Sequence, residues 1–385
     1  MTAKAEILYI DTADALKVFT EQLAGADWIA LDTEFLREKT YYPKLCLVQI
    51  ATPEVVACID PLALTDLTPL LEVLFDPRIT KVMHAARQDM EIFYHIRGAL
   101  PAPVFDTQIA ALLLGYPDQI GYGNLVSELL GVSLDKKHTR ADWSLRPLSR
   151  DQVQYAADDV IYLVDIYRQL LQRLSSLGRL EWLSGDFEQL TRPALYQNAP
   201  DRAWLKVKGG NRLRGASLAI LQRLAEWREQ AAQQKDIPKG WLLRDDVLVE
   251  LARHQPDSLA SLGKIRGLNE KIINRNGEQL LKLVAEARNR KPEPFPAKVN
   301  SKRLSAAQDA LVDVMMAVVR ISSEKNSLNP AVLATRKHLE KLLTGETDSG
   351  LMQGWRKQLV GDQLQALLDG KLVLSAKDGE LVLQG

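Results

Sequence analysis

The sequence predicts an α/β domain built around a mixed sheet, followed by two all-α helical bundles. Three observations carry that expectation. Over residues 1–190, apolar runs of strand length alternate with stretches of helical period, and the strands cluster before the helices take over. From Leu213 onward the period is helical almost throughout. Two breaks divide the chain: 196–212, with Gly209-Gly210 and little periodicity, and 291–300, where Pro292, Pro294 and Pro296 crowd together. The boundaries expected are an α/β domain over 1–195, a linker over 196–212, a bundle over 213–290, a Pro-rich linker over 291–300 and a second bundle over 301–385.

Taken in order, AEILYI (5–10) reads as a strand and Thr12–Leu23 as a helix. WIALDTEF (28–35) and KLCLVQIAT (44–52) are apolar enough for buried strands, and VVACID (55–60) continues the sheet. A helix near Leu67–Leu74, the strand ITKVMH (79–84), a helix over Arg87–Tyr94 and helices near 107–114 and 124–130 follow. Ser149-Arg150-Asp151-Gln152 fits a capping box, with Ser at the N-cap and Gln three residues on. Behind it Val153, Ala156, Val160, Leu163, Val164, Leu170 and Leu174 recur on one helical face until Gly178 supplies a stop. The first bundle is read from SLAILQRLAEWREQAAQQ, LLRDDVLVELARHQP and GEQLLKLVAEARNR, joined by short connections. Residues 302–372 are again helical, and KLVLSAKDGELVLQG predicts a hairpin turning at Lys377-Asp378-Gly379.

Composition removes several classes of protein. With 46% hydrophobic and 25% charged residues, the chain is neither disordered nor collagenous. Its two cysteines, Cys46 and Cys58, lie in apolar runs without a Cys-x-x-Cys pair, as expected of buried, reduced thiols in a cytoplasmic protein. No window approaches 18 apolar residues, and MTAKAEILYIDTAD lacks a signal-peptide core, so membrane and secreted proteins are not expected. The net charge of zero hides a split. Residues 1–200 hold 18 basic against 27 acidic side chains, residues 201–385 hold 31 against 22, and most of the excess lies in 201–300, with 20 against 12. Such a split fits an acidic site beside a polyanion-binding module, or simply an uneven scatter over solvated faces.

Four acids and a tyrosine stand out. Asp32 and Glu34 are i and i+2 on one strand, so their carboxylates share a face while the apolar run buries the strand. Like charges at the end of a buried strand are costly unless a cation holds them. Asp89 follows the strand ITKVMH in His84-Ala85-Ala86-Arg87-Gln88-Asp89. Tyr155 and Asp159 are i and i+4 on the capped helix, roughly 5–6 Å apart at Cβ. Any one of these alone is as readily a solvated strand end, a helix-start acid or a plain Tyr–Asp hydrogen bond.

Together they resemble the DEDD exonuclease superfamily in its tyrosine-bearing branch: Asp-x-Glu on a strand, an aspartate after a second strand, Tyr-x-x-x-Asp on a late helix. DTEFLREKTYYPKLCLVQIA, HAARQDMEIF and LDKKHTRADWSLRPLSRDQVQYAADDVIYL extend the resemblance. It implies a ribonuclease-H-like (DnaQ-like) exonuclease domain in which Asp32, Glu34, Asp89 and Asp159 hold two divalent ions, Mg²⁺ or Mn²⁺. Tyr155 would position the attacking water or take its proton, and Asp158, three residues from Tyr155, falls outside the family spacing. No histidine lies near Tyr155 in the sequence as the other branch requires: the five are at 84, 95, 138, 254 and 338. The basic bundle, with Leu221-x-x-Leu224-x-x-Trp227-Arg228, Asp236-x-Pro238, Leu251-Ala252, Gly267 and Asn276-Gly277, is similar to the HRDC domain, a nucleic-acid-binding helical module. A second HRDC-like bundle is expected over 301–385 from its length.

The loop before the capped helix offers further candidates. Lys136, Lys137, Arg140 and Arg146 around Trp143 suit phosphate contacts with one stacking aromatic, or a basic loop anchored by a core tryptophan. Phe35 could wedge against a terminal base or pack in the core, and His84 reads as a packed histidine. The resemblance implies a 3′→5′ exoribonuclease, a monomer, that trims transfer-RNA precursors and other small structured RNAs and releases nucleoside 5′-monophosphates. A DNA-directed exonuclease shares the carboxylate chemistry. A non-catalytic RNA-binding protein would have no use for four clustered acids.

Overall fold

The computed structural model describes residues 6–135, 137–139, 141–296, 304–345 and 350–384. They form two compact units. One comprises residues 6–34, 45–192 and the described part of 299–385; the other comprises 35–44 and 193–296.

The first unit is built on a six-stranded mixed sheet of order β1-β4-β3-β2-β5-β6. Its strands are β1 (Ile7–Ile10), β2 (Trp28–Leu36), β3 (Lys44–Ala51), β4 (Val56–Ile59), β5 (Thr80–Met83) and β6 (Val104–Asp106). β1 runs parallel to β4, β2 to β5 and β5 to β6, whereas β3 and β4 are antiparallel. The apolar runs become the central strands because both faces are covered: Ile29, Ala30, Leu31, Cys46, Leu47, Val48 and Ile50 are fully buried. Helices α1 (Ala13–Gln22), α2 (Thr68–Leu74), α3 (Arg87–Arg97), α4 (Thr107–Leu112) and α5 (Tyr122–Leu130) fall where the sequence places them. β6 was not anticipated. Three residues after Pro103 are too few to display a period, and pairing with β5 makes them a strand.

Helix α6 (Arg150–Ser176) begins in the expected capping box. Ser149 Oγ accepts from Gln152 N at 3.2 Å, and Gln152 Oε1 accepts from Ser149 N at 2.9 Å. Its apolar face, from Ala156 to Leu174, packs over β1, β4 and β5, and the short helix α7 (Ser184–Leu190) follows it. Capping thus sets where α6 starts, and the buried stripe sets which face meets the sheet.

The C-terminal helices α13 (Ala306–Lys325), α14 (Pro330–Leu333) and α15 (Arg336–Leu343), with the stretch α16 (Gly354–Arg356) to α17 (Asp362–Leu368), enclose a core of Val312, Met315, Val318, Leu339, Val360 and Leu364. The terminal hairpin forms as expected from β7 (Val373–Lys377) and β8 (Glu380–Gln384), with Asp378 and Gly379 at positive φ as a tight hairpin turn requires. This bundle is fixed to the α/β part. Trp182 stacks on Trp355 at 4.7 Å, and Arg179 donates to Leu113 O at 2.7 Å and Asn326 O at 2.5 Å.

The second unit is the basic bundle of α8 (Gly215–Lys235), α9 (Lys239–Leu242), α10 (Asp245–His254), α11 (Leu259–Leu262) and α12 (Glu270–Arg288) around Ile220, Leu221, Leu224, Leu248, Leu251, Leu280 and Val284. The stretch expected to be a linker over 196–212 is folded. It makes short 3-10 turns, and Trp204, 1% exposed, enters the bundle core with Phe295 edge-on at 4.5 Å. Its lack of helical period reflects this tighter winding. Residues 35–44 also belong to this unit: Tyr41 donates to Glu229, and Asp236 Oδ1 accepts from Tyr41 N and Tyr42 N at 3.0 Å. Among the described residues no helix is long and apolar enough to cross a membrane.

Candidate active site

Alternation along β2 puts Asp32 and Glu34 on one face and Thr33 on the other. Thr33 is nearly buried, and its hydroxyl donates to Asp89 Oδ1, joining β2 to the first turn of α3. Asp159 faces the same region from the third turn of α6. The electrostatics show the convergence. Burial pushes the Asp32 carboxyl well above its ordinary range, and Asp159, Asp89 and Glu34 push it further. Glu34 is pushed up to about 8, first by desolvation and then by Asp159 and Asp89. Asp89 and Asp159 are each pushed up to about 7, again chiefly by desolvation. Asp32 and Glu34 keep some exposed surface, yet protein surrounds their carboxyl groups closely enough for desolvation to dominate.

Among the described residues no lysine or arginine ion-pairs with any of these four acids. As the side chains stand, no three His, Cys, Asp or Glu groups among the described residues close into one ion's ligand shell. Their chemistry nevertheless fits a hard divalent cation: all donors are carboxylate oxygens, mutually repelling, with no basic side chain among the described residues to offset them.

Tyr155 lies against this cluster. Its hydroxyl is pushed up first by desolvation and then by the negative charge of Asp159, Glu34 and Asp32. Thr139 Oγ1 lies 3.3 Å from Tyr155 Oη, and the rings of His138 and Trp143 stand 5.8 and 6.1 Å away. Asp158 has other duties. Its carboxylate accepts from Gln154 Nε2 at 2.8 Å, and its backbone carbonyl accepts from Tyr122 Oη at 2.9 Å. Beside Tyr155 and Asp159 lies a cavity of about 350 Å³, also lined by Tyr122, Asn124, Leu134 and Thr139.

The remaining candidates separate. Lys136 and Arg140 lie outside the described residues. Lys137 is exposed and ion-pairs with Asp135 at 2.7 Å. Trp143 is 3% exposed, so it anchors the loop and offers no face for a stacked base. Arg146 does not reach out to phosphate. Its five N–H groups are all taken, by both oxygens of Asp60 and by the carbonyls of Cys46, Trp143 and Leu145. Phe35 sits on the face of β2 opposite Glu34. His84 is packed, its ring nitrogens 2.9 Å from Thr107 Oγ1 and 3.0 Å from Ile120 O, and burial lowers its pKa. Sequence reasoning passed over Tyr122, Thr139 and Asp60. Only the Gly121-Tyr122-Gly123 context hinted at the first, and nothing local marks the others.

Fold and donor set define a class: nucleases that remove nucleotides from a 3′ end. Residues 7–175 match the 3′-5′ exonuclease family, and residues 217–284 match the HRDC domain. The chain is 39% identical to the ribonuclease D of Gluconacetobacter diazotrophicus over 97% of this chain and 95% of that protein. To the ribonuclease D of Zymomonas mobilis it is 38% identical, over 98% of this chain and 97% of that one. It also superposes on the crystal structure of Escherichia coli RNase D, an exoribonuclease involved in structured RNA processing. The TM-score is 0.81 at 34% identity, covering 95% of this chain and 99% of that one. The chain belongs to the ribonuclease D family, whose activity is 3′→5′ exoribonucleolytic.

Proposed function

We propose that this exoribonuclease trims the 3′ ends of transfer-RNA precursors and other small structured RNAs by hydrolysing phosphodiester bonds, one nucleoside 5′-monophosphate at a time. The observation that carries the mechanism is the convergence of Asp32, Glu34, Asp89 and Asp159 with Tyr155 against three of them. These acids would hold two divalent ions, Mg²⁺ or Mn²⁺. When bound, the ions supply charge stabilisation for the attacking and leaving oxygens of an in-line displacement. Tyr155 Oη, 3.3 Å from Thr139 Oγ1 and within the field of Asp159, Glu34 and Asp32, would orient the attacking water. The cavity beside Tyr155 and Asp159 is the space for the terminal nucleotide.

The domain reading is an exonuclease domain over 1–195, an HRDC domain over 213–290 and a second HRDC-like bundle over 301–385. RNA affinity comes chiefly from the basic bundle, where Lys264, Arg266, Lys271, Arg275 and Lys282 are all exposed. The protein works as a monomer in the cytoplasm. Parallel digestion of matched RNA and DNA single strands, with products resolved by chromatography, tests the proposal. RNA-selective release of 5′-monophosphates that stops in EDTA is the expected result. Equal digestion of DNA, 3′-monophosphate products or full activity in EDTA would each refute it.

A further inference from the structure

Arg146 could have been a phosphate contact or part of a basic loop anchored by Trp143, and its guanidinium faces inward. Nε and one Nη2 hydrogen meet Asp60 at 2.5 and 2.7 Å, a bidentate pair. The second Nη2 hydrogen reaches Cys46 O on β3 at 2.6 Å, and Nη1 donates to Trp143 O and Leu145 O, each at 2.8 Å. Asp60 follows β4 directly and is itself held by Tyr9 Oη at 2.7 Å and by Leu62 N at 2.9 Å. Its side chain is 3% exposed, and these partners hold its carboxyl below the usual range despite burial. One guanidinium thus fastens the loop between α5 and α6 to two strands of the sheet.

That loop forms the wall around Tyr155. Trp143, whose carbonyl Arg146 grips, presents its ring to Tyr155 at 6.1 Å, tilted by 31°. His138 packs edge-on from the same loop at 5.8 Å, and Thr139 Oγ1 lies 3.3 Å from the phenol oxygen. A tyrosine on an exposed helix turn has more than one staggered rotamer open to it. Here three loop residues surround the ring, and the loop's own position depends on Asp60.

We infer that the Arg146–Asp60 clasp is a positioning device for Tyr155: by locking Trp143 behind the ring, it fixes where the phenol hydroxyl points. The inference rests on the reading of Tyr155 as the group that orients water. Arg146 spends all its N–H groups on Asp60 and three backbone carbonyls and bonds none of the four acids, so it is a positioning residue. Misplacement of a reacting group by about 1 Å can cost on the order of 100-fold in rate, and the clasp holds that tolerance.

A double-variant cycle on the full-length chain tests it. Wild type, Arg146→Met, Tyr155→Phe and the double variant are compared for kcat, KM and RNA affinity, the last measured in EDTA so that the RNA survives, with melting curves as a check on folding. Arg146→Met is expected to lower kcat by about 10- to 100-fold and to leave RNA affinity near wild type. In the Tyr155→Phe background the same change should cost no more than about twofold, because its effect runs through the hydroxyl already removed. Losses that multiply in the double variant would overturn the inference. So would a loss of RNA affinity as large as the loss of kcat, which would make Arg146 a phosphate contact. If Tyr155→Phe alone keeps wild-type kcat, the reading of Tyr155 itself fails, a distinct result that removes the inference with it. Should Arg146→Met not fold, Trp143→Phe goes through the same cycle with the clasp intact. A loss absorbed by Tyr155→Phe supports the inference, and a loss that multiplies refutes it.

Discussion

Glu34 gives the most direct measure of what it costs to ionise a carboxyl buried among the other acids. Its carboxyl is pushed up to about 8 from the ordinary 4.5, by desolvation first and by Asp159 and Asp89 next. An acid with a folded pKa above its unfolded value binds its proton more tightly in the folded chain. Its stabilising effect is therefore complete below the unfolded value and is lost as pH rises through the folded one. At about 1.36 kcal/mol per unit, the whole window from 4.5 to 8 is worth up to about 5 kcal/mol. Roughly 2 kcal/mol of that falls between pH 6 and pH 8. Glu34→Gln deletes the titration while keeping the shape. In EDTA, the Tm of the unit containing the sheet should fall from pH 6 to pH 8 in wild type, and less steeply in the variant. The difference attributable to Glu34 is roughly 5–9 °C. Asp89 and Asp159, each pushed up to about 7, steepen the wild-type curve further. Added Mg²⁺ should flatten the wild-type curve, because a bound cation favours the ionised carboxylates. Differential scanning calorimetry at several pH values reads all of this directly. Parallel Tm–pH curves for wild type and Glu34→Gln in EDTA would show that Glu34 is not in the repelling cluster and refute the reasoning.

Tyr155→Phe should lower turnover by about 10²–10⁴-fold while RNA affinity barely changes, and Asp158→Asn, whose carboxylate serves Gln154, should matter far less. A reversal of the two in steady-state assays would mean that the wrong face of α6 has been assigned. Activity should vanish in EDTA and return with Mg²⁺ or Mn²⁺, and Asp32→Ala should abolish it while the protein stays folded, since it removes repulsion along with a ligand. Hydrolysis by Asp32→Ala at the wild-type rate would rule that residue out. Replacing the exposed Lys271, Arg275 and Lys282 by Gln should make the slope of log affinity against log salt shallower, by about 0.7 per lost phosphate contact on single-stranded RNA. An unchanged slope in fluorescence titrations would place the RNA elsewhere. Surface changes are the right probe, because a chain cut near Tyr196 would strip Trp182 of Trp355 and Arg179 of Asn326 O.

What the sequence by itself determined is whatever depends on neighbours along the chain. The strand alternation of Asp32 and Glu34, the capping box at Ser149 and the i, i+4 pairing of Tyr155 with Asp159 are local, so each was legible, as was the hairpin at Asp378-Gly379. Those local patterns paired Asp32 with Glu34 and Tyr155 with Asp159; grouping them with Asp89 as one candidate site took the resemblance to the DEDD exonucleases. What only the tertiary structure decided depends on partners far along the chain. Arg146 looked like an RNA contact because Asp60, which takes its charge, lies 86 residues earlier. Trp204 looked like linker because the bundle that buries it begins after it, and β6 became a strand only once β5 lay beside it. Four acids repel one another through space, and nothing in their separate segments shows how strongly. Local periods reveal which face a side chain takes. Which charge neutralises it, which ring it packs against and how far its pKa moves are set by contacts that exist only after the chain has closed on itself.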